Sequence, residues 1–174
     1  MSLTIVLVGP MGAGKSSVGR QLASILDFAF ADTDAEVERR TGVDIPYVFE
    51  REGEAGFRAR ELQALQSLIE RPATVLATGG GIVTQAVCRE ALAQHLPVVY
   101  LHATVEQQYQ RVRYGKQRPL LQETDPRGVL TTLFEKRAPW YLEVSDMVVH
   151  TDGARVEHVA RQIADKLVAA ALLD

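Results

Sequence analysis

The sequence predicts an α/β fold, three layers α/β/α around a central, mostly five-stranded parallel sheet. Three observations carry this. Short runs rich in Val, Ile and Leu recur along the chain, as strands covered on both faces require. Segments with apolar residues at helical spacing lie between them. Strand alternating with helix implies crossover connections, which a parallel sheet needs. At 174 residues the chain suits a single domain, 1–174, large enough to bury about 70% of its unfolded surface.

Taken in order, Leu3–Val8, Thr74–Ala77 and Val98–Leu101 are the clearest strands, with Ala29–Ala31 and Met147–His150 as weaker ones. Val18, Leu22 and Ile25 or Leu26 form a helical stripe after the first strand. Leu62, Leu65, Leu68 and Ile69 form a second, and Val156, Val159, Ile163 and Leu167 a third. Such stripes are core-facing helix surfaces. The segment Tyr114–Arg127 differs, with Gly115, Pro119, Pro126 and the basic Lys116, Arg118 and Arg127 in place of periodicity. Two readings stand: a mobile lid at about 114–127, or a solvated surface loop.

The formal net charge of −3 argues against a nonspecific nucleic-acid or membrane-surface binder, which would show a basic excess. Cys88 is the only cysteine, which excludes an internal disulfide and a multi-cysteine metal site. It reads as a buried thiol. The start, Met1 to Val8, has no basic n-region, so no secretory leader is expected. The longest apolar run, Leu167–Leu173, falls far short of the roughly 20 residues of a membrane span. The expected setting is reducing and cytoplasmic.

Gly9-Pro10-Met11-Gly12-Ala13-Gly14-Lys15-Ser16 matches G-x-x-x-x-G-K-[ST] between a strand and a helix, the context this phosphate loop requires. Glycines let the backbone turn tightly so that several N–H groups converge on phosphate oxygens, and the helix dipole adds to the attraction. Lys15 supplies a flexible point charge for the outer phosphates. The Ser16 hydroxyl is a hard oxygen ligand suited to Mg²⁺.

Asp32-Thr33-Asp34 follows the second strand, at the sheet edge where open α/β folds bind ligands. One carboxylate suits Mg²⁺ through water and the other an acceptor hydroxyl. Each of the three residues also suits the N-cap of a helix beginning near Ala35. Gly79-Gly80-Gly81 ends the third strand. Three glycines cost backbone entropy, so they mark either a ligand lying against bare main chain or a flexible turn. Arg58 and Arg137 are unremarkable singly.

Several segments together resemble the shikimate kinase family: Gly9–Ala23, the Asp32–Asp34 triplet, GEAGFRARE at Gly53–Glu61, ATGGGIV at Ala77–Val83, RPLL at Arg118–Leu121 and KRAPWY at Lys136–Tyr141. The resemblance implies a P-loop kinase with a mobile lid that transfers a phosphoryl group from MgATP to the 3-hydroxyl of shikimate. By it, Gly12, Ala13, Gly14, Lys15, Ser16 and Ser17 wrap the ATP phosphates, Ser16 holds Mg²⁺ and Asp32 is its acidic partner. Asp34 meets the ring hydroxyls, and Arg58 and Arg137 grip the carboxylate. Gly79, Gly80 and Gly81 form the pocket wall, with Gly80 nearest the substrate. Arg118 reaches the transferring phosphoryl group. Glu61 orients Arg58, while Phe49 and Phe57 either form an apolar wall or belong to the core. Lid hinges are expected at Gly115 and at Pro126–Gly128.

Independently, a planar carboxylate is best held by guanidinium forks. Gluconate is likewise an acidic polyol, so a gluconate kinase is the alternative. A switch GTPase would carry N-K-x-D, and the chain has none. The partners expected are small molecules, without nucleic acid or membrane, bound by a monomer.

Overall fold

The computed structural model describes residues 3–114 and 125–173. Five parallel strands form one sheet in the order β2-β3-β1-β4-β5. They are β1 (Thr4–Val8), β2 (Ala29–Asp32), β3 (Thr74–Ala77), β4 (Val98–His102) and β5 (Met147–His150). Every strand residue of β1 and β3 is buried, as expected for strands covered on both faces. Register pairs Thr4 with Thr74, Val6 with Val98 and Ala29 with Thr74.

Alternation along the strands divides the core. Ile5, Leu7, Val99 and Leu101 face α1 (Lys15–Leu26) and α7 (Val156–Ala169). Val6, Val8, Val98 and Tyr100 face the opposite layer. There α3 (Ile45–Leu68), α4 (Ala86–Ala93) and α6 (Pro126–Val144) pack, with a single 3₁₀ turn at Ile82–Thr84. Two shorter helices, α2 (Thr33–Thr41) and α5 (Val105–Val112), lie beyond the carboxyl ends of β2 and β4.

The expected strands and stripes fall into place, with local corrections. Ile25 is 40% and Val156 36% exposed. The core faces of their helices rest instead on Val18, Leu22 and Leu26, and on Val159, Ile163 and Leu167. The stripe at Leu62–Ile69 is only the end of α3, which begins at Ile45 and breaks at Gly53 (φ 69°, ψ −174°). Pro126–Gly128, read as a lid hinge, is the first turn of α6: Asp125 caps it by accepting from Gly128 N–H at 3.0 Å, with Pro126 at the first position. Proline suits that position because its missing N–H would have no intrahelical partner. Arg127 pairs with Glu106 of α5 at 2.9 Å and lies 3.8 Å over the Tyr109 ring. Cys88 is fully buried, and burial pushes its thiol up to about 11.

Candidate active site

β1 has β3 on one side and β4 on the other. The chain leaving β1 therefore emerges where crossovers diverge to opposite sides of the sheet, the place where α/β sheets open a crevice. The loop Gly9–Gly14 fills it. Gly14 at the N-cap of α1 is left-handed (φ 90°, ψ 21°), a conformation that suits glycine and aims the first helical N–H groups at the crevice. Lys15 is nearly buried, and its Nζ donates to the Gly9 and Pro10 carbonyls at 2.7 and 2.8 Å. Arg111 of α5 braces the loop from outside. It donates to the Gly12 carbonyl at 2.8 Å and to Thr151, just past β5, at 2.7 Å.

Asp32 serves both readings of the acidic triplet. Its Oδ1 caps α2, accepting from Asp34 N–H at 2.9 Å and Ala35 N–H at 3.2 Å. Its Oδ2 accepts from the Ser16 hydroxyl at 2.8 Å. Asp34, in the first turn, points the other way, and Thr33 Oγ1 between them accepts from Gly79 N–H at 3.0 Å.

These elements enclose a cavity of about 790 Å³ lined by Lys15, Ser16, Asp34, Arg58, Gly80 and Arg137 among others. Arg58 arrives on α3 and Arg137 on α6. Arg58 Nη1 donates to Glu61 Oε2 at 2.7 Å, one helical turn on, and Glu61 is 1% exposed. Among the described residues, five buried side-chain polar atoms have no hydrogen-bond partner. Four of them, Asp34 Oδ1, Arg58 Nε, Glu61 Oε1 and Arg137 Nε, belong to residues lining this one cavity. Folded proteins satisfy nearly all such atoms. A cluster of orphans around one space marks it as built for a polar guest.

The glycines earn their places sterically. A Cβ on Gly79 would lie 2.8 Å from Glu61 Oε1 and 2.9 Å from Asp34 Oδ1; one on Gly81 would come within 2.5 Å of Arg58 Nη1. The bare backbone thus makes room for the acidic and basic side chains of the site. Gly80 presses on the phosphate loop, its built Cβ 3.2 Å from Met11 N. The Gly80 carbonyl accepts a short hydrogen bond from the hydroxyl of Tyr141, a fully buried side chain of α6.

Burial pushes Asp34 up to about 6, helped by Asp32 and opposed by Lys15 and Arg58. Burial likewise lifts Glu61 to about 7, against the pull of Arg58. Perturbed acids clustered in a cleft are a signature of function.

The structure therefore brings together Gly12, Gly14, Lys15, Ser16, Ser17, Asp32, Asp34, Arg58, Gly79, Gly80, Gly81 and Arg137, with Glu61, Phe49 and Phe57. The Phe49 and Phe57 rings lie 4.7 Å apart on its apolar side. Ala13 does not line it: its side chain is packed in the core and its N–H donates to the Pro10 carbonyl. Arg118 and most of the expected lid lie outside the described residues. Sequence reasoning missed Met11, Glu38, Ile45, Pro46 and Thr78 of the lining, and also Tyr141 and Arg111. Met11, Ile45 and Pro46 carry no chemical signal, Glu38 is one acid among many on a helix, and Tyr141 lay within a segment noted only for Arg137.

The family description "Shikimate kinase" matches residues 11–168. The chain belongs to the shikimate kinase family. It is 52% identical to the shikimate kinase of Halorhodospira halophila over 163 residues, 94% of this chain and 92% of that one. The solved shikimate kinase from Acinetobacter baumannii in complex with shikimate is 47% identical with a TM-score of 0.94, covering 98% of this chain and 96% of that one. A deoxyadenosine kinase from M. mycoides with bound dATP, 14% identical with a TM-score of 0.65 over 95% of this chain and all of that one, shares the fold alone. No helix among the described residues is long and apolar enough to cross a membrane.

Proposed function

We propose that the chain phosphorylates the 3-hydroxyl of shikimate with MgATP, giving shikimate 3-phosphate and ADP. The observation that carries this is one cavity holding both the phosphate-loop Lys15 and two arginines from separate elements, Arg58 and Arg137. Family membership supports the same reaction. Shikimate offers a carboxylate for the two guanidinium forks and ring hydroxyls for Asp34, whose partnerless Oδ1 is an acceptor.

The amides of Gly12, Gly14, Ser16 and Ser17, with the Lys15 ammonium, hold the ATP phosphates; Ala13 anchors the loop in the core. Ser16 and Asp32, a hydroxyl and a carboxylate in contact at 2.8 Å, fit Mg²⁺. No group of three acidic, histidine or cysteine ligands occurs among the described residues, which suits an ion that keeps waters and leans on substrate phosphates. When bound, Mg²⁺ neutralises charge on the phosphates.

The 3-hydroxyl oxygen attacks the γ-phosphorus in line, the bond to the β-bridging oxygen breaks, and ADP leaves. Positioning and charge neutralisation supply most of the rate. Asp34 orients the hydroxyl and accepts its proton late. Arg118, by family resemblance, reaches the transferring group as the lid closes and excludes water. We read the chain as one kinase domain acting as a cytoplasmic monomer, which sedimentation checks.

The test is ADP release by purified protein with MgATP and shikimate, beside gluconate and nucleoside monophosphates. Turnover confined to shikimate is expected; preference for gluconate would overturn the substrate. Replacing Arg118 by Ala should cut kcat by on the order of 10³, the scale of transition-state arginines. An unchanged rate would remove it from the mechanism.

A further inference from the structure

Outside the residues that line the cavity, the carboxyl ends of β4 and β5 carry a pair of imidazoles. His102 and His150 are register partners on neighbouring parallel strands, so their side chains leave the sheet on the same face. That face is the α6 side, shared with Tyr100 and Val148. Phe134 of α6 meets the His102 ring edge-on at 5.6 Å. Tyr100 meets the same ring at 5.7 Å. The His102 ring is therefore held by aromatic neighbours, while His150 on the edge strand is exposed. The two Nδ1 atoms stand 3.2 Å apart.

That spacing suits chelation. A Zn–N bond of about 2.0–2.1 Å puts two nitrogens at a tetrahedral angle about 3.3–3.4 Å apart. In the neutral pair one Nδ1–H donates to the lone pair of the other. Moving that proton to Nε2 of the same ring turns both lone pairs inward with no net proton released. Desolvation and the neighbouring His150 lower the His102 pKa. Asp152 adds negative charge nearby, its Oδ1 bonded to Thr104.

The geometry points to a transition-metal site at His102 Nδ1 and His150 Nδ1 that takes Zn²⁺, with water in the remaining positions. No third histidine, cysteine or carboxylate completes a cluster among the described residues, so the two imidazoles are the whole of the protein's share. Imidazole nitrogen selects Zn²⁺, Cu²⁺ or Ni²⁺ over Mg²⁺, which separates it from the Ser16–Asp32 site.

Zinc alone is titrated into the full chain without nucleotide, by calorimetry and against a chromophoric chelator. Wild type should bind one Zn²⁺, and His150→Ala should weaken binding by about tenfold or more with its circular dichroism unchanged. His158→Ala, on the exposed face of α7, should bind as wild type. Histidine-ring NMR of the wild type supplies a measurement that needs no variant: Zn²⁺ should shift His102 and His150 and leave His95 and His158 in place. Equal affinity in wild type and His150→Ala, or ring shifts elsewhere, would overturn the site.

Discussion

A carboxyl group buried beside another acid ionises against its surroundings, and Asp34 does so near pH 6. Its pKa is raised on folding, so the native state binds the extra proton between about 4 and 6. Stability therefore falls as pH rises through that window and carries the full penalty above it. Asp34→Asn should stabilise the ligand-free protein by on the order of 2–3 kcal/mol at pH 8, with the gain gone by pH 4, as urea unfolding will read. The same variant should lose most of its turnover while ATP affinity holds, and wild-type kcat/KM should rise with pH through about 6. Arg58 makes a second residue-scale test. A methyl on Gly81 would displace its guanidinium, the mobile end of a long side chain, from its place beside Glu61. Gly81→Ala and Arg58→Ala should both raise the KM for shikimate steeply and leave the KM for ATP near wild type. If ATP binding falls equally, Arg58 is structural. Neither arginine was legible alone, because a solvated arginine and a carboxylate clamp look identical until α3 and α6 meet across the cavity.

At the scale of elements, α2 depends on an acid with two duties. Asp32→Asn keeps the capping oxygen and loses the charge, whereas Asp32→Ala loses both. The alanine variant should unfold about 1 kcal/mol more easily than the asparagine variant, or roughly 2–4 °C lower. Both should need more Mg²⁺ for half-maximal rate. Equal melting temperatures would remove the cap. The sequence left capping and function as rivals here, since neither excludes the other when Oδ1 and Oδ2 face different ways. The strands were easy to read because burial on both faces removes every polar residue from β1 and β3 except Thr4 and Thr74. The break in α3 was hidden. Gly53 lies in a helix-forming context, and only its φ of 69° shows that the chain turns there to present Phe57 and Arg58.

For the whole molecule, Cys88 is a reporter of global opening. Its thiol projects from α4 and is fully buried in the core, with its pKa pushed up to about 11, so a thiolate reagent reaches it only through unfolding. Labelling should be slow in native buffer and slower still with MgATP and shikimate, since a ligand that binds only the folded state lowers the open population. A rate indifferent to ligands would place the opening in a local fluctuation near α4. Within the same layer, α6 supplies the Arg137 guanidinium and, one helical turn later, the Tyr141 hydroxyl that holds the Gly80 carbonyl. Jaw and floor are thus joined through one helix, across Pro139, and one hydrogen bond. An acceptor analogue with a bulkier group against Gly80 cannot depress the floor without also tilting the jaw that holds its carboxylate. Selectivity on that side of the ring should accordingly be stricter than at the Phe49–Phe57 side, where separate helical segments can yield independently.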